Sequence, residues 1–122
     1  MLKNFRVYTT LPVTDFARAR AFYKAKLGLT PMEPDGDVYE CGDGTRFLIS
    51  KMGSKPAGHT QMSFEVDDLA KVVKELKAKG LVFEEYDHPT LKTVDGIADQ
   101  GDFKGAWFKD SEGNMIGIGQ RT

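Results

Sequence analysis

Few residues of this chain have a type and spacing that could do chemistry. Cys41 is the single cysteine. As a nucleophile it would need a base to form the thiolate, and nothing near it in sequence supplies one. It reads instead as a small residue that packs as a hydrophobe, and one cysteine excludes an internal disulfide. Asp67 and Asp68 are adjacent carboxylates, a pair that could divide acid and base work, but they precede an apolar-periodic run and read more simply as a helix start. The glycines are scattered over turns and strands, so no phosphate-cradling loop is present. No Ser, His and Asp set suggests a triad.

One stretch is unusual in another way. In "EGNMIGIG" (112–119), Glu112, Gly113 and Asn114 read as a tight turn and the rest as a strand. Side chains alternate across a strand, so Ile116 and Ile118 share one face while Met115, Gly117 and Gly119 share the other. Glycine inside a strand costs stability and packs against nothing. Either the nearly bare face marks a bulge or close backbone crossing, or it lines a cavity. The residues leave both open.

The elements that would position this strand come in a repeat. "VTDFARARAFYKAK" (13–26) matches "VDDLAKVVKELKAK" (66–79) at an offset of 53. Both carry apolar residues at helical spacing: Phe16, Ala19, Tyr23 and Leu27, then Leu69, Val72, Val73 and Leu76. Thr14 and Asp67 are the expected N-caps, and Gly28 and Gly80 the expected glycines past each C-terminus. Strands are expected at 5–13 and 59–66 before the helices, at 29–34, 37–41 and 45–51 after the first, and at 81–86, 103–109 and 114–120 after the second. "DGTRFLIS" (43–50) aligns with "EGNMIGIG" at an offset of 69. The larger offset marks an insertion, 88–101, without clear periodicity. Long loops in small domains are often functional, and this one is expected to be a mobile lid. "KMGSKPAG" (51–58) reads as a linker.

The chain thus reads as one α+β domain, 1–122, of two β-α-β-β-β modules: 1–52, a linker at 53–58, and 59–122. Its length of 122 residues allows a sizeable core. A net charge of −1 gives no electrostatic footprint for nucleic acid or an anionic membrane. With no long apolar run and no signal-peptide pattern, a cytoplasmic location is expected.

The paired modules, "LPVTDFARARAFYKAKLGL" with its V-x-D, FY and LG pattern, and "FKDSEGNMIGIGQ" with its D-x-x-G-N hairpin together resemble the vicinal oxygen chelate superfamily. That group includes glyoxalase I, bleomycin-resistance proteins and extradiol dioxygenases. The resemblance implies that each module curls its sheet into a half-open cup and that the two share a cleft. In the family's enzymes the cleft floor holds a divalent metal, ligated from the first and last strands of each module. Carried over, those positions fall on Tyr8, Leu48, Gln61 and Gly117. Only Gln61 offers an ordinary oxygen donor, and such ions need three or more. A register slip of two would put His59 in place of Gln61, with His88 and Glu40 to complete a site, but the helix alignment argues against it. The reading is therefore no metal and no cofactor.

The cleft faces follow from alternation. Arg6, Tyr8 and Thr10 oppose Val7, Thr9 and Leu11; His59, Gln61, Ser63 and Glu65 oppose Met62, Phe64 and Val66. The apolar sets should lie under the helices. The expected ligand-binding set is Tyr8, Thr10, Tyr39, Arg46, Leu48, Ser50, Gln61, Ser63, Trp107, Met115, Gly117 and Gly119, with Tyr39 and Trp107 as walls for a flat ligand. Core packing is an equal reading for Trp107. By resemblance to bleomycin-resistance proteins, the expected role is binding an organic small molecule, with sequestration of an antibiotic or toxin as the specific form, in a homodimer. The alternatives are a metal-dependent lyase, isomerase or dioxygenase, a metal-free catalyst, or an accessory subunit with an empty cup.

Overall fold

The computed structural model describes residues 1–51 and 55–121. Residues 52–54, which hold the expected end of the first module and part of the linker, lie outside the described residues, as does Thr122.

The first half contains β1 (Thr9–Pro12), α1 (Phe16–Leu27), β2 (Val38–Glu40) and β3 (Arg46–Ser50). The second contains β4 (Thr60–Glu65), α2 (Leu69–Ala78), the short strands β5 (Asp87–His88), β6 (Leu91–Lys92) and β7 (Ala98–Asp99), then β8 (Phe103–Lys109) and β9 (Met115–Arg121). Each half sets its first strand parallel to its last: β1 beside β3, and β4 beside β9. The sheets run β1-β3-β2 and β4-β9-β8-β7. The internal repeat in the sequence is thus a repeat in topology.

The helices obey their local signals with one shift. The caps are Asp15 and Asp68, one residue beyond the expected Thr14 and Asp67; each accepts from the backbone N–H three residues on, Arg18 and Lys71. Thr14 is engaged elsewhere, as shown below. Gly28 and Gly80 take left-handed φ values of 69° and 87°, ending the helices as expected.

The strands are shorter than their apolar patterns. Residues 5–8 continue β1 in sequence without joining the sheet, because β3 begins at Arg46 and Thr9 already pairs with Phe47. Val7, expected beneath the helix, is 92% exposed. At 29–34 no strand forms: Pro31 and Pro34 have no N–H, and only Met32 bonds across, to the Val38 carbonyl. At 81–86 the alternation is real, with Leu81 and Phe83 buried and Val82 exposed, yet pairing is limited to a bridge between Phe83 and Phe108. The insertion is tied down rather than free. Glu85 accepts from Gly96 N and Thr93 Oγ1, Lys77 donates to the Asp95 carbonyl, and β7 pairs along the outer edge of β8. Among the described residues no helix is long and apolar enough to cross a membrane.

One apolar cluster runs through both halves, with Leu11, Tyr23, Phe47 and Ile49 from the first and Leu69, Val73, Phe108, Ile116 and Ile118 from the second. The turn between β8 and β9 clamps the halves together. Asp110, 5% exposed, accepts from the Tyr23 hydroxyl at 2.7 Å and from Asn114 Nδ2 at 3.0 Å. The same amide donates to the Pro12 carbonyl at the end of β1. Glu112, its side chain 1% exposed, accepts from Thr14 N, Asp15 N and Arg18, meeting Arg18 Nε at 2.7 Å. This distant carboxylate occupies Thr14 and leaves capping to Asp15. The Arg18 guanidinium holds the Glu112 carboxyl down at about 2 against burial, which opposes it. Burial, with Asp110 beside it, pushes the Tyr23 phenol far above its ordinary range.

A folded-state pKa below the ordinary 4.5 stabilises the fold above that pH and loses its effect as pH falls toward 2. Glu112→Gln should therefore cost about 2 kcal/mol near neutrality. The gap between the urea midpoints of variant and wild type should shrink as pH falls below 4.5 and close only on acidification through about pH 2. A constant gap across that range would show that the carboxylate is not held this way.

Candidate functional site

The bare strand face has a specific filling. Gly117 pairs with Trp107 across β8 and β9, and Gly105 pairs with Gly119. None of these three glycines has positive φ, so no turn geometry requires them. Aromatic rings do. A Cβ on Gly119 would stand 2.8 Å from the Phe103 ring, and one on Gly105 would stand 3.0 Å from the Trp107 ring and 3.1 Å from that of Phe103. A Cβ on Gly117 would meet Ser63 Oγ at 2.6 Å and Trp107 Nε1 at 3.4 Å. Glycine is used here so that Phe103 and Trp107 can lie down on the backbone, a pairing that restores the contacts a bare strand lacks. The bulge that does exist lies on β4, at Gln61, between Thr60 and Met62.

Two hollows adjoin this floor. One, of about 340 Å³, is bounded by Ser63, Glu65, Phe103, Trp107, Gly117 and Gly119, with Arg121 at its edge. The other, of about 450 Å³, lies between the halves, where Thr9, Thr45 and Arg46 face Met62, Ser63 and Glu65. They share Ser63, Phe64 and Glu65 as a common wall. Tyr86 stands edge-on to Trp107 at 5.8 Å and extends the aromatic surface toward His88. Charges at the rim are exposed: Glu65 and Arg121, 4.0 Å apart, are each 81% exposed. Arg46 donates to Glu40 at 3.2 Å.

Of the expected set, Arg46, Ser63, Trp107, Gly117 and Gly119 line these hollows. Leu48, Ser50, Gln61 and Met115 are half-buried and line neither; Tyr8 and Thr10 are exposed. Tyr39 is misplaced by the sequence reading. It is fully buried, stacked on Phe47 at 4.8 Å, and belongs to the core beside Tyr23. Phe103 was missed; its signal was its place two and four residues before Gly105 and Trp107 on one strand face. Cys41 is half-buried and its thiol is pushed up by burial, away from nucleophilic activation.

A cupped pair of sheets with first and last strands parallel in each half and a glycine-rich last strand defines a class of fold. The sequence profile of the Glyoxalase/Bleomycin resistance protein/Dioxygenase superfamily matches residues 6–118, and the chain belongs to that superfamily. Among solved structures it is similar to TnmS3, an antibiotic binding protein from Streptomyces sp. CB03234, with 18% identity, 97% of this chain and 96% of that one covered, and a TM-score of 0.66. It is also similar to a glyoxalase family protein from Bacillus anthracis, at 22% identity, 96% and 93% coverage and a TM-score of 0.69. A glyoxalase/bleomycin resistance protein from Catenulispora acidiphila gives 22%, 97% and 99%, and 0.64. Comparison with curated proteins gives no match.

The donor set does not fit the metal that the family implies in its enzymes. Leu48 and Gly117 have no side-chain donor, and Tyr8 is exposed. Gln61 Oε1 is buried with no partner among the described residues, but it is a single oxygen. His59 turns to its neighbour, with Nδ1 3.0 Å from the Thr60 carbonyl. Among the described residues no three His, Cys, Asp or Glu side chains converge.

Because the rings rest on glycine, Gly119→Ala should displace Phe103 and cost about 1–3 kcal/mol. Gly117→Ala meets mainly a rotatable hydroxyl and should cost well under half as much. Thermal melts of the two variants check this order; a harmless Gly119→Ala would remove the ring-on-glycine contact from the account.

Proposed function

We infer that the chain is a small-molecule-binding protein that needs no metal, and that its specific role is to sequester an antibiotic or another toxic natural product. The observation that carries this reading is the floor of the cleft. Where the superfamily's enzymes set ligands for a metal, this sequence has Leu48 and Gly117; around Gly117 the space is given to Ser63 and Trp107, and around Gly119 to Phe103. Ligand pockets are typically concave and aromatic or apolar with few polar anchors, and a flat ring face receives a flat ligand. The antibiotic binding protein TnmS3 supports the role at the level of fold.

Ligand contact is assigned to Arg46, Ser63, Trp107, Gly117 and Gly119, with Phe103 added. Tyr8, Thr10, Leu48, Ser50, Gln61 and Met115 are assigned to the margins of the same cleft. The chain is taken to act as one domain, 1–52 and 59–122 joined by 53–58, in the cytoplasm and as a homodimer. The dimer is supported by three large apolar side chains close together in sequence, Leu2, Phe5 and Val7, that are 74%, 64% and 92% exposed, the kind of surface that a partner covers.

Native mass spectrometry of the purified protein, with and without added polycyclic aromatic natural products, tests the reading. The expected spectrum shows a dimer that takes up organic ligand without a stoichiometric divalent ion. Close to one zinc, iron, nickel or manganese per chain, lost in Gln61→Ala, would establish the metal-dependent alternative instead.

A further inference from the structure

The geometry points to the ligand's chemical class: a neutral planar molecule carrying a carbonyl-type oxygen, with Arg46 as the residue that receives that oxygen. This rests on the cleft being a binding site, as argued above. A guanidinium has five N–H donors in a rigid fork and no acceptor. Among the described residues the Arg46 guanidinium forms one bond, from Nη2 to Glu40. Nε is buried and has no partner among the described residues. An unsatisfied donor on a charged group in a partly closed site is costly, and such a group in a native fold calls for an explanation. Arg46 lines the larger hollow, beside the hydroxyls of Thr9, Thr45 and Ser63. An oxygen lodged there, after a small turn of the fork, takes up donors that the protein leaves idle.

Charge decides which oxygen. Arg46 is already neutralised by Glu40, and Glu65 at the shared wall lies 4.0 Å from Arg121. The remaining charged side chain lining the larger hollow is Asp43. A carboxylate ligand would enter a site with no spare positive charge and an acid at its rim. A neutral carbonyl satisfies the same donor without that repulsion. The planar part follows from the wall the hollows share: Ser63 lines both the hollow that holds Arg46 and the one floored by the Trp107 ring.

Trp107 is the only tryptophan, so its indole N–H gives one resonance that reports on the floor. Acetylnaphthalene, ethylnaphthalene and naphthoate, substituted at the same ring carbon, share a shape and differ in the oxygen and the charge. Following that resonance in the full-length protein, acetylnaphthalene should bind about tenfold more tightly than ethylnaphthalene, and naphthoate more weakly than acetylnaphthalene. Arg46→Met should abolish the preference, bringing acetylnaphthalene down to the affinity of ethylnaphthalene measured on the same variant. Should that variant fail to fold, Arg46→Lys retains the ion pair with Glu40 and should narrow the preference. Equal affinities for the acetyl and ethyl compounds in the wild type, a preference that survives both substitutions, or naphthoate as the best ligand would overturn the assignment while leaving the cleft a binding site. An indole resonance unmoved by all three compounds would remove both the assignment and the binding reading.

Discussion

The cleft exists because a buried carboxylate is saturated. Asp110 receives four donors: the Tyr23 hydroxyl, the Asn114 side-chain amide, and the backbone N–H groups of Glu112 and Asn114. A charge taken out of water is tolerated only with such a complement. In gathering its donors Asp110 holds the β8–β9 turn in one conformation. The turn then places Asn114 on the end of β1 and Glu112 on the start of α1. The first half is thereby fixed relative to the sheet that carries Trp107 and the glycines. Loss of any one partner leaves a desolvated group behind, so the clamp holds the spacing of the two walls of the cleft.

The clamp is made once although the chain repeats. At the equivalent positions of the first half Cys41 stands for Asp110 and Thr45 for Asn114, and on the second helix Leu76 stands for Tyr23. The polar contact has become an apolar one. There Leu27, Leu29, Cys41, Phe64, Val72 and Leu76 border an open groove of about 310 Å³, and the turn closes through its backbone, Cys41 N donating to the Thr45 carbonyl at 2.8 Å. The pseudo-symmetric architecture therefore joins helix to turn by buried polar contacts on one side and by apolar residues on the other, a difference that follows from three substitutions between copies of the same motif.

Both helices were legible in the sequence because their signals are local. Apolar spacing, an aspartate at the start and a glycine at the end lie within one segment, and the repeat supplies each twice. The cap positions were off by one because the competing acceptor, Glu112, sits 98 residues from Thr14. Strands were less legible because pairing is decided elsewhere. Residues 5–8 have a strand's alternation but no partner strand among the described residues, and the prolines at 31 and 34 remove donors that the pattern assumed. Tyr39 was placed on the wrong face because β2 is only three residues long and its parity is set by pairing with β3. The glycine face was visible, but its occupant was not. That Phe103 and Trp107 lie on those glycines depends on the register of β8 against β9, which no single strand reveals.

The most direct test of a binding cleft on the aromatic floor is an amide-by-amide map of chemical-shift changes as the protein is titrated with an anthracycline, a planar natural product. The account predicts changes centred on Ser63, Phe103, Trp107, Gly117 and Gly119, fading toward the helices. Changes centred on the groove beside Leu27, Val72 and Leu76, with the glycine strand silent, would contradict it.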